Sequence, residues 1–176
     1  MLSRTIIALA TLCSLSCAYA AEPASLLSNS DFETAAGDKP ADWPTPAGTS
    51  WENENGNHFL RLKAAAPGTS ITVYRQLEVK GNSELTLTGK FRWTDVVRGK
   101  DNWHDGRLLI EFKNAEGTKV GMAPSPLIFV GSSSGWEAKQ VAIAVPSDAV
   151  LLAVMVAFFQ VDGGTLDIDD LHLAAH

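Results

Sequence analysis

Hydrophobic and polar residues alternate along much of the chain, most clearly in the segment "ELTLTGKFRW" at 84–93. Its apolar and polar side chains fall on opposite parities: Leu85, Leu87, Phe91 and Trp93 against Thr86, Thr88, Lys90 and Arg92. A period of two residues is typical of a β-strand with one buried face. The segment therefore predicts a strand whose odd-numbered residues face a core.

Similar runs recur between turns rich in Gly, Pro, Asn and Asp, and helix signals are nearly absent. The segment 149–160 could be helical, but Pro146 precedes it, Gly163 and Gly164 follow it, and Val and Phe fill its centre. We interpret it as a strand buried on both faces. The full set of predicted strands is 26–33, 58–64, 70–79, 84–96, 107–114, 126–130, 136–145, 149–160 and 165–173. Eight to ten strands in one domain predict an all-β fold, a two-sheet antiparallel β-sandwich of the jelly-roll type.

The last predicted strand, "TLDIDDLHL" at 165–173, changes parity within its length. Leu166 and Ile168 share one parity, whereas Leu171 and Leu173 share the other. An extra residue in a strand shifts its side chains from one face to the other. The pattern therefore predicts a β-bulge near Asp169-Asp170.

The first 20 residues have the features of a secretory signal peptide, with cleavage expected before Ala21. They combine a basic start, a short apolar run and a small-x-small ending, namely Arg4, Ile6 to Leu15, and Ala18-Tyr19-Ala20. A lipoprotein anchored at Cys17 is the lesser alternative. We expect a leader at 21–25, the sandwich domain at 26–173 and a tail at 174–176. The protein would then be secreted or periplasmic, and no apolar run in the sequence is long enough to span a bilayer.

The net charge and the positions of the cysteines limit the functions and the bonds that the domain can have. The formal net charge is −6, which disfavours binding to nucleic acid. Both cysteines, Cys13 and Cys17, lie in the predicted signal peptide, so a disulfide is not expected in the remaining domain. Stability must then come from the core, with or without a bound ion.

Four segments fall in the order found in a known group of domains. They are "NSDFE" (29–33), "YRQLEVKGNSELTLTGKFRW" (74–93), "GWEAKQVAIAVPSDA" (135–149) and "GGTLDIDDLHL" (163–173). Together they resemble the carbohydrate-binding modules of families 4, 9 and 22, which are jelly rolls attached to secreted glycan hydrolases. Related galactose-binding-like sandwiches share parts of the pattern. The resemblance spans nearly all of residues 26–173 and implies binding to a polysaccharide or oligosaccharide.

The resemblance also implies a structural calcium ion that joins the first strand to the last. Calcium takes six to eight oxygen ligands. Matching residue by residue gives the Asp31 carbonyl, the Glu33 carboxylate, the side chain of Asn55 (or Glu54), the His58 carbonyl and Asp169. A neutral amide at Asn55 departs from the usual carboxylate and would weaken the site. The alternative is that these acids are solvated and that Asp169-Asp170 caps the bulge through backbone hydrogen bonds.

A sugar-binding surface needs exposed aromatic rings flanked by hydrogen-bonding groups. Trp103 lies in the polar loop "VVRGKDNWHDGRLL" and is our first choice as a stacking platform, with Trp51 second. We interpret Trp43 and Trp93 as structural anchors, and the resemblance places Trp136 in the core. Polar residues that could line the binding face are Tyr74, Gln76, Arg92, Glu111 and Gln160. The alternative for Trp103 is that it only fixes its own loop to the sandwich.

The sequence offers little support for catalysis. It lacks a G-x-S-x-G nucleophile elbow and an H-E-x-x-H zinc motif. A pair of carboxylates such as Asp105 and Glu111 could still serve a glycoside hydrolase. We therefore predict a carbohydrate-binding protein without catalysis. The alternatives are a β-sandwich glycoside hydrolase or polysaccharide lyase, and a structural or protein-interaction module of the cell envelope.

Overall fold

The fold is described from a computed structural model, which covers residues 23–79 and 81–175. The predicted signal peptide lies outside these residues. The described chain is all β and forms two main antiparallel sheets, as the alternation predicted. A two-stranded ribbon of β1 (Ala35–Ala36) and β2 (Lys39–Pro40) lies near the start of the domain.

The larger sheet has five strands in the order β3-β4-β11-β6-β9. The last strand of the described chain is therefore the central one, flanked by β4 and β6. Their bounds are β3 Thr49–Glu54, β4 Asn57–Lys63, β6 Glu84–Val97, β9 Glu137–Ala144 and β11 Gly163–Ala175.

The smaller sheet has four strands in the order β5-β10-β7-β8. Its bounds are β5 Thr69–Glu78, β7 Gly106–Lys113, β8 Leu127–Phe129 and β10 Leu151–Val161. β10 pairs with β5 on one side and with β7 on the other, and most residues on both of its faces are buried, in agreement with its almost continuous apolar sequence. The segment that could have been helical is thus a central strand, as predicted.

The core lies between the two sheets and is built from the inward parity of each strand. Leu85, Leu87 and Phe91 on β6 are buried, as their alternation predicted. On β11 the inward residues change parity, from Leu166 and Ile168 to a second pair, Leu171 and Leu173. The register shifts between Asp169 and His172, and Asp170 has a positive φ of 48°. The predicted bulge is therefore confirmed at Asp169-Asp170.

Three boundary predictions were wrong. The segment 26–33 forms turns, because Asn29 and Phe32 adopt positive φ angles of 47° and 56° that an extended strand does not allow. β3 was missed, because it is an edge strand whose outward residues are polar and whose sequence reads as a turn. The last predicted strand, 165–173, is too short, since β11 extends over Gly163–Ala175.

Candidate functional site

The outward face of the four-stranded sheet gathers several of the predicted binding residues. Cross-strand pairing puts Gln76, Ala153 and Glu111 in one row, and Tyr74 and Met155 in the next row together with Leu109. Residues directly opposite one another in a sheet point to the same face. Tyr74, Gln76 and Glu111 therefore share one surface, which we call the β5-β10-β7 face.

Hydrogen bonds hold the polar side chains of the β5-β10-β7 face in place. The Tyr74 hydroxyl donates to Oε1 of Gln76 at 2.7 Å and accepts from Nζ of Lys113 at 3.3 Å. Nζ of Lys119 lies 2.8 Å from Oε1 of Glu111. The face thus presents fixed hydroxyl, amide, ammonium and carboxylate groups around a floor that includes Ala153. Such groups can donate to and accept from sugar hydroxyls.

Trp103 stands at one end of the β5-β10-β7 face and is 51% exposed. Its ring lies edge-on to Phe159, the residue that continues the outward parity of β10, at a centroid distance of 6.4 Å. Arg107 donates from Nη2 to the Trp103 carbonyl at 3.0 Å. The indole is therefore exposed while its backbone is tied to β7.

Buried His104 organises the loop that carries Trp103. Its Nδ1 accepts from the Asp101 amide at 3.2 Å, and its carbonyl accepts from the Gly99 amide at 3.0 Å. Its ring also packs edge-on against Trp103 at 4.1 Å. The Gly99 backbone sits so close to the Gln160 carbonyl that a side chain at position 99 would collide with it. The backbone of the exposed residue Gln160 therefore contacts this loop, at the same end of the sandwich as Trp103.

The indole N–H groups separate the tryptophans into two kinds. Trp43, Trp51 and Trp93 donate to the carbonyls of Asn29, Phe32 and Val130 at 2.8, 2.9 and 3.2 Å. Within the described ranges, Trp103 and Trp136 have no protein acceptor for this N–H. The first three tryptophans are bonded anchors, whereas the last two keep an N–H that a ligand can use.

Two of the predicted binding residues lie away from the β5-β10-β7 face. Trp51 packs against the core and stacks on His58 at 4.4 Å, because its partner across the β3–β4 pair is the inward residue Leu60. Arg92 lies on the outward face of the other sheet. Neither side chain can contact a sugar ring that also touches Tyr74 and Gln76.

Trp136 corrects the expectation that it packs in the core. It is half-buried and immediately precedes β9, on the outward parity shared by Ala138. Its ring meets Phe59 edge-on at 5.3 Å, and the Arg92 guanidinium lies 4.6 Å from its centroid. The alternation of Val141 and Ile143 against smaller neighbours in β9 was the sequence signal for this outward placement.

The same outward face contains a buried ion-pair network. Asp167 is 2% exposed and accepts from Nε and Nη2 of Arg61 at 2.6 and 2.9 Å. Nε of Arg92 donates to it at 2.9 Å, and Nη1 of Arg92 reaches Glu54 at 2.9 Å. The hydrogen bonds that Arg61 donates to Asp167 raise the pKa of Arg61. This network links β3, β4, β11 and β6 and fixes the Arg92 guanidinium.

The residues predicted to bind calcium fall into separate pairs. Glu33 accepts from the His58 amide at 2.7 Å and contacts Nδ1 of His58 at 2.8 Å, and these hydrogen bonds lower the pKa of Glu33. Asp169 accepts from Asn57 at 2.9 Å, and burial raises its pKa. Asp31 and Asn55 are exposed, the latter in a turn at φ 56°. Over residues 23–79 and 81–175, no three His, Cys, Asp or Glu side chains are grouped to hold a metal. Because the predicted ligands also include backbone carbonyls and an amide, calcium binding stays a prediction.

The carboxylate pair considered for hydrolysis is too widely spaced. Asp105 immediately precedes β7 and Glu111 lies within it. A rise of about 3.3 Å per residue separates their backbones by roughly 20 Å. Glycosidases need carboxyl groups about 5–10 Å apart. Asp105 is in addition 1% exposed and bonded to Arg107 at 2.6 Å, so it is a structural ion-pair partner.

Comparison with known proteins establishes the fold. No known family profile matches this sequence, and no curated protein is significantly similar to it. Among solved structures, the enzymatically active domain of tailspike protein 4 of bacteriophage CBA120 has a TM-score of 0.65 at 14% identity. That similarity covers 86% of this chain but only 21% of the tailspike chain.

Two further similar structures are carbohydrate-binding modules of about the same length as this domain. The module TmCBM61, in complex with β-1,4-galactotriose, has a TM-score of 0.60 at 11% identity and covers 86% of this chain and 99% of its own. A family 4 module has a TM-score of 0.56 at 12% identity, with 84% and 98% covered. The predicted resemblance is thus confirmed at the level of the fold: the chain has the jelly-roll sandwich fold that these two modules also have. The described residues form no helix able to cross a membrane.

Proposed function

We propose that this protein binds a polysaccharide or oligosaccharide on the β5-β10-β7 face without catalysing a reaction. The observation that carries the proposal is the exposed Trp103 indole, which has a free N–H and stands at the end of a face with ordered polar groups. A sugar ring presents an apolar face to an aromatic ring and hydroxyls at its edge. Trp103 would stack on one ring, and Tyr74, Gln76 and Glu111 would bond to hydroxyls further along the chain.

The length of the face favours an extended ligand. Gln76 and Thr72 are outward residues on β5. Across β10, Thr72 is level with the start of β7, and Trp103 lies just before β7 at that end. Four residues of strand span about 13 Å, so the face can contact several sugar rings. Affinity should be modest, because the glycan loses conformational freedom and its hydroxyls give up water.

Retention in affinity gels tests the proposal. We expect at least one soluble polysaccharide in a broad panel to retard the wild-type protein. Trp103→Ala should reduce the affinity about tenfold or more, as is typical when a dominant aromatic contact is removed. The fold should persist, since the indole is half exposed and makes no hydrogen bond through its N–H. Thr94→Ala, on the opposite sheet face, is the matched control. Equal retention of Trp103→Ala and wild type would remove Trp103 from the site.

Calcium binding and export complete the proposal. In the calcium hypothesis Glu33 would exchange its His58 contacts for the ion and help to tie the start of the domain to β11. The resemblance supports this hypothesis, while the ion pairing of Glu33 with His58 counts against it. Export is supported by the sequence of residues 1–20. Amino-terminal sequencing of the protein from its native host should then begin at Ala21.

A further inference from the structure

A depression of about 340 Å³ lies on the outward face of the five-stranded sheet, on the other side of the sandwich from Trp103. Asn57, Lys90, Trp136, Ala138 and Asp169 line it. Its volume lies at the lower end of ligand pockets, which measure about 300–1,000 Å³. It is large enough for one sugar ring or the end of a short glycan.

Trp136 forms a rigid aromatic wall of this depression. The Arg92 guanidinium lies 4.6 Å from its ring centroid and is itself held by Asp167 and Glu54. Phe59 meets the Trp136 ring at 5.3 Å and is 2% exposed, although it lies outside the main core. An aromatic ring that is already fixed loses little side-chain entropy when a ligand stacks on it.

Polar groups stand around this wall. Nδ2 of the exposed Asn57 side chain donates to Asp169 at 2.9 Å, which leaves the side-chain Oδ1 available as an acceptor. Lys90 pairs with Asp170 at 2.8 Å, and its ammonium, with the side chain 55% exposed, keeps further donors. The Trp136 N–H adds a donor. An aromatic wall with acceptors and donors at its edge is the arrangement that a pyranose ring requires.

Charge selects among sugars. Lys90 and Asp169 line the depression. The ion pairs near it include the cations Arg61, Lys90 and Arg92 and the carboxylates Glu54, Asp167 and Asp170. Negative groups outnumber positive ones, and each described cation here is already paired with a carboxylate. A uronic acid or sulfated sugar would meet like charge, which disfavours it. A neutral sugar avoids this repulsion.

We propose that this depression is a second carbohydrate site, specific for a neutral pyranose and independent of the β5-β10-β7 face. Two stacked sheets hold the two sites on opposite sides of the sandwich, with a core about 10 Å thick between them. A single sugar ring cannot touch both Trp103 and Trp136. One protein molecule would therefore bridge two glycan chains, or two parts of one chain.

Indole N–H signals in ¹⁵N NMR spectra test this site directly. The Trp136 signal is assigned by its loss in Trp136→Phe. Glucose, galactose, mannose, xylose and N-acetylglucosamine are then titrated separately to about 100 mM, which saturates a site of millimolar Kd. We expect at least one of these sugars to shift the Trp136 signal saturably, and galacturonate to leave it unchanged. The response should persist in Trp103→Ala, which removes only the first site.

A filled depression provides the decisive control. Ala138 is exposed and lines the depression, so Ala138→Leu should abolish the Trp136 response without loss of fold. Ala142→Leu, outward on the same strand but four residues away, should retain it. No saturable Trp136 shift with any of the five sugars would overturn the second site, as would an undiminished response in Ala138→Leu. A shift of the Trp103 signal alone would support the proposed function and reject this inference.

Discussion

The bonding of each indole nitrogen separates structural tryptophans from candidate platforms at the residue scale. The indole N–H groups of Trp43, Trp51 and Trp93 donate to backbone carbonyls, and each of these rings packs with the core. The polar loop around Trp103 indicated its exposure from sequence. The apolar residues of β9 indicate the strand parity that places Trp136 on the outward face. The family resemblance instead implied a core position for Trp136.

Asp167 offers a test of a single buried carboxylate. Asp167→Ala leaves two arginines without their shared partner, and we expect it to lower the free energy of unfolding by about 3 kcal/mol. The control is Asp170→Asn on the same strand, because asparagine tolerates the positive φ of 48° at this position. Within the described residues, the 45% exposed Asp170 carboxylate pairs with Lys90. An exposed pair contributes about 0–1 kcal/mol. Urea unfolding measures both, and equal losses would contradict the role given to Asp167.

At the element scale, alternation predicted β6, and turn residues with Val and Phe content predicted β10, but neither signal showed how the strands pair. The bulge in β11 was predictable because a parity switch is visible in the sequence. β3 was not predictable from the sequence, because its outward residues Ser50, Glu52 and Glu54 have a composition typical of a loop. The turns at 26–33 depend on positive φ angles at Asn29 and Phe32, which a single sequence does not reveal.

The two glycines that open β11 have different structural demands. Gly164 has a φ of 106°, and a Cβ there would lie 2.5 Å from Cα of Val96. At Gly163 the nearest atom would be 3.9 Å away. We expect Gly164→Ala to destabilise the protein by roughly 2 kcal/mol or more through strain and collision, and Gly163→Ala to be nearly neutral. Thermal unfolding compares them, and a smaller loss for Gly164→Ala than for Gly163→Ala would refute this packing.

At the scale of the whole molecule, the sandwich presents two outward faces with different chemistry. One carries Trp103 above tyrosine, glutamine and glutamate side chains, and the other carries Trp136 on an arginine–carboxylate network. The sequence indicated the sandwich, because strand patterns and segment order are local properties. It could not show which residues share a face, because that depends on the pairing of distant strands such as β5 with β10.

Calcium dependence is a property of the whole domain, because the ion would join its two ends. If calcium binds, excess chelator should lower the melting temperature, and Glu33→Gln and Asp169→Asn should each remove that difference. Asp31→Asn is the matched control, since Asp31 would contribute its backbone carbonyl. An unchanged wild-type melting curve in chelator would contradict calcium binding and favour the Glu33–His58 pair as the permanent arrangement.

Chemical-shift mapping with a bound glycan tests the central claim most directly. The ligand is the glycan that the protein retains best on a broad array, and the protein is ¹⁵N-labelled. We predict that one saturable titration shifts the Trp103 indole together with the backbone amides of Tyr74, Gln76 and Glu111. Failure to bind any glycan on the array, or shifts that leave the β5-β10-β7 face untouched, would contradict the account.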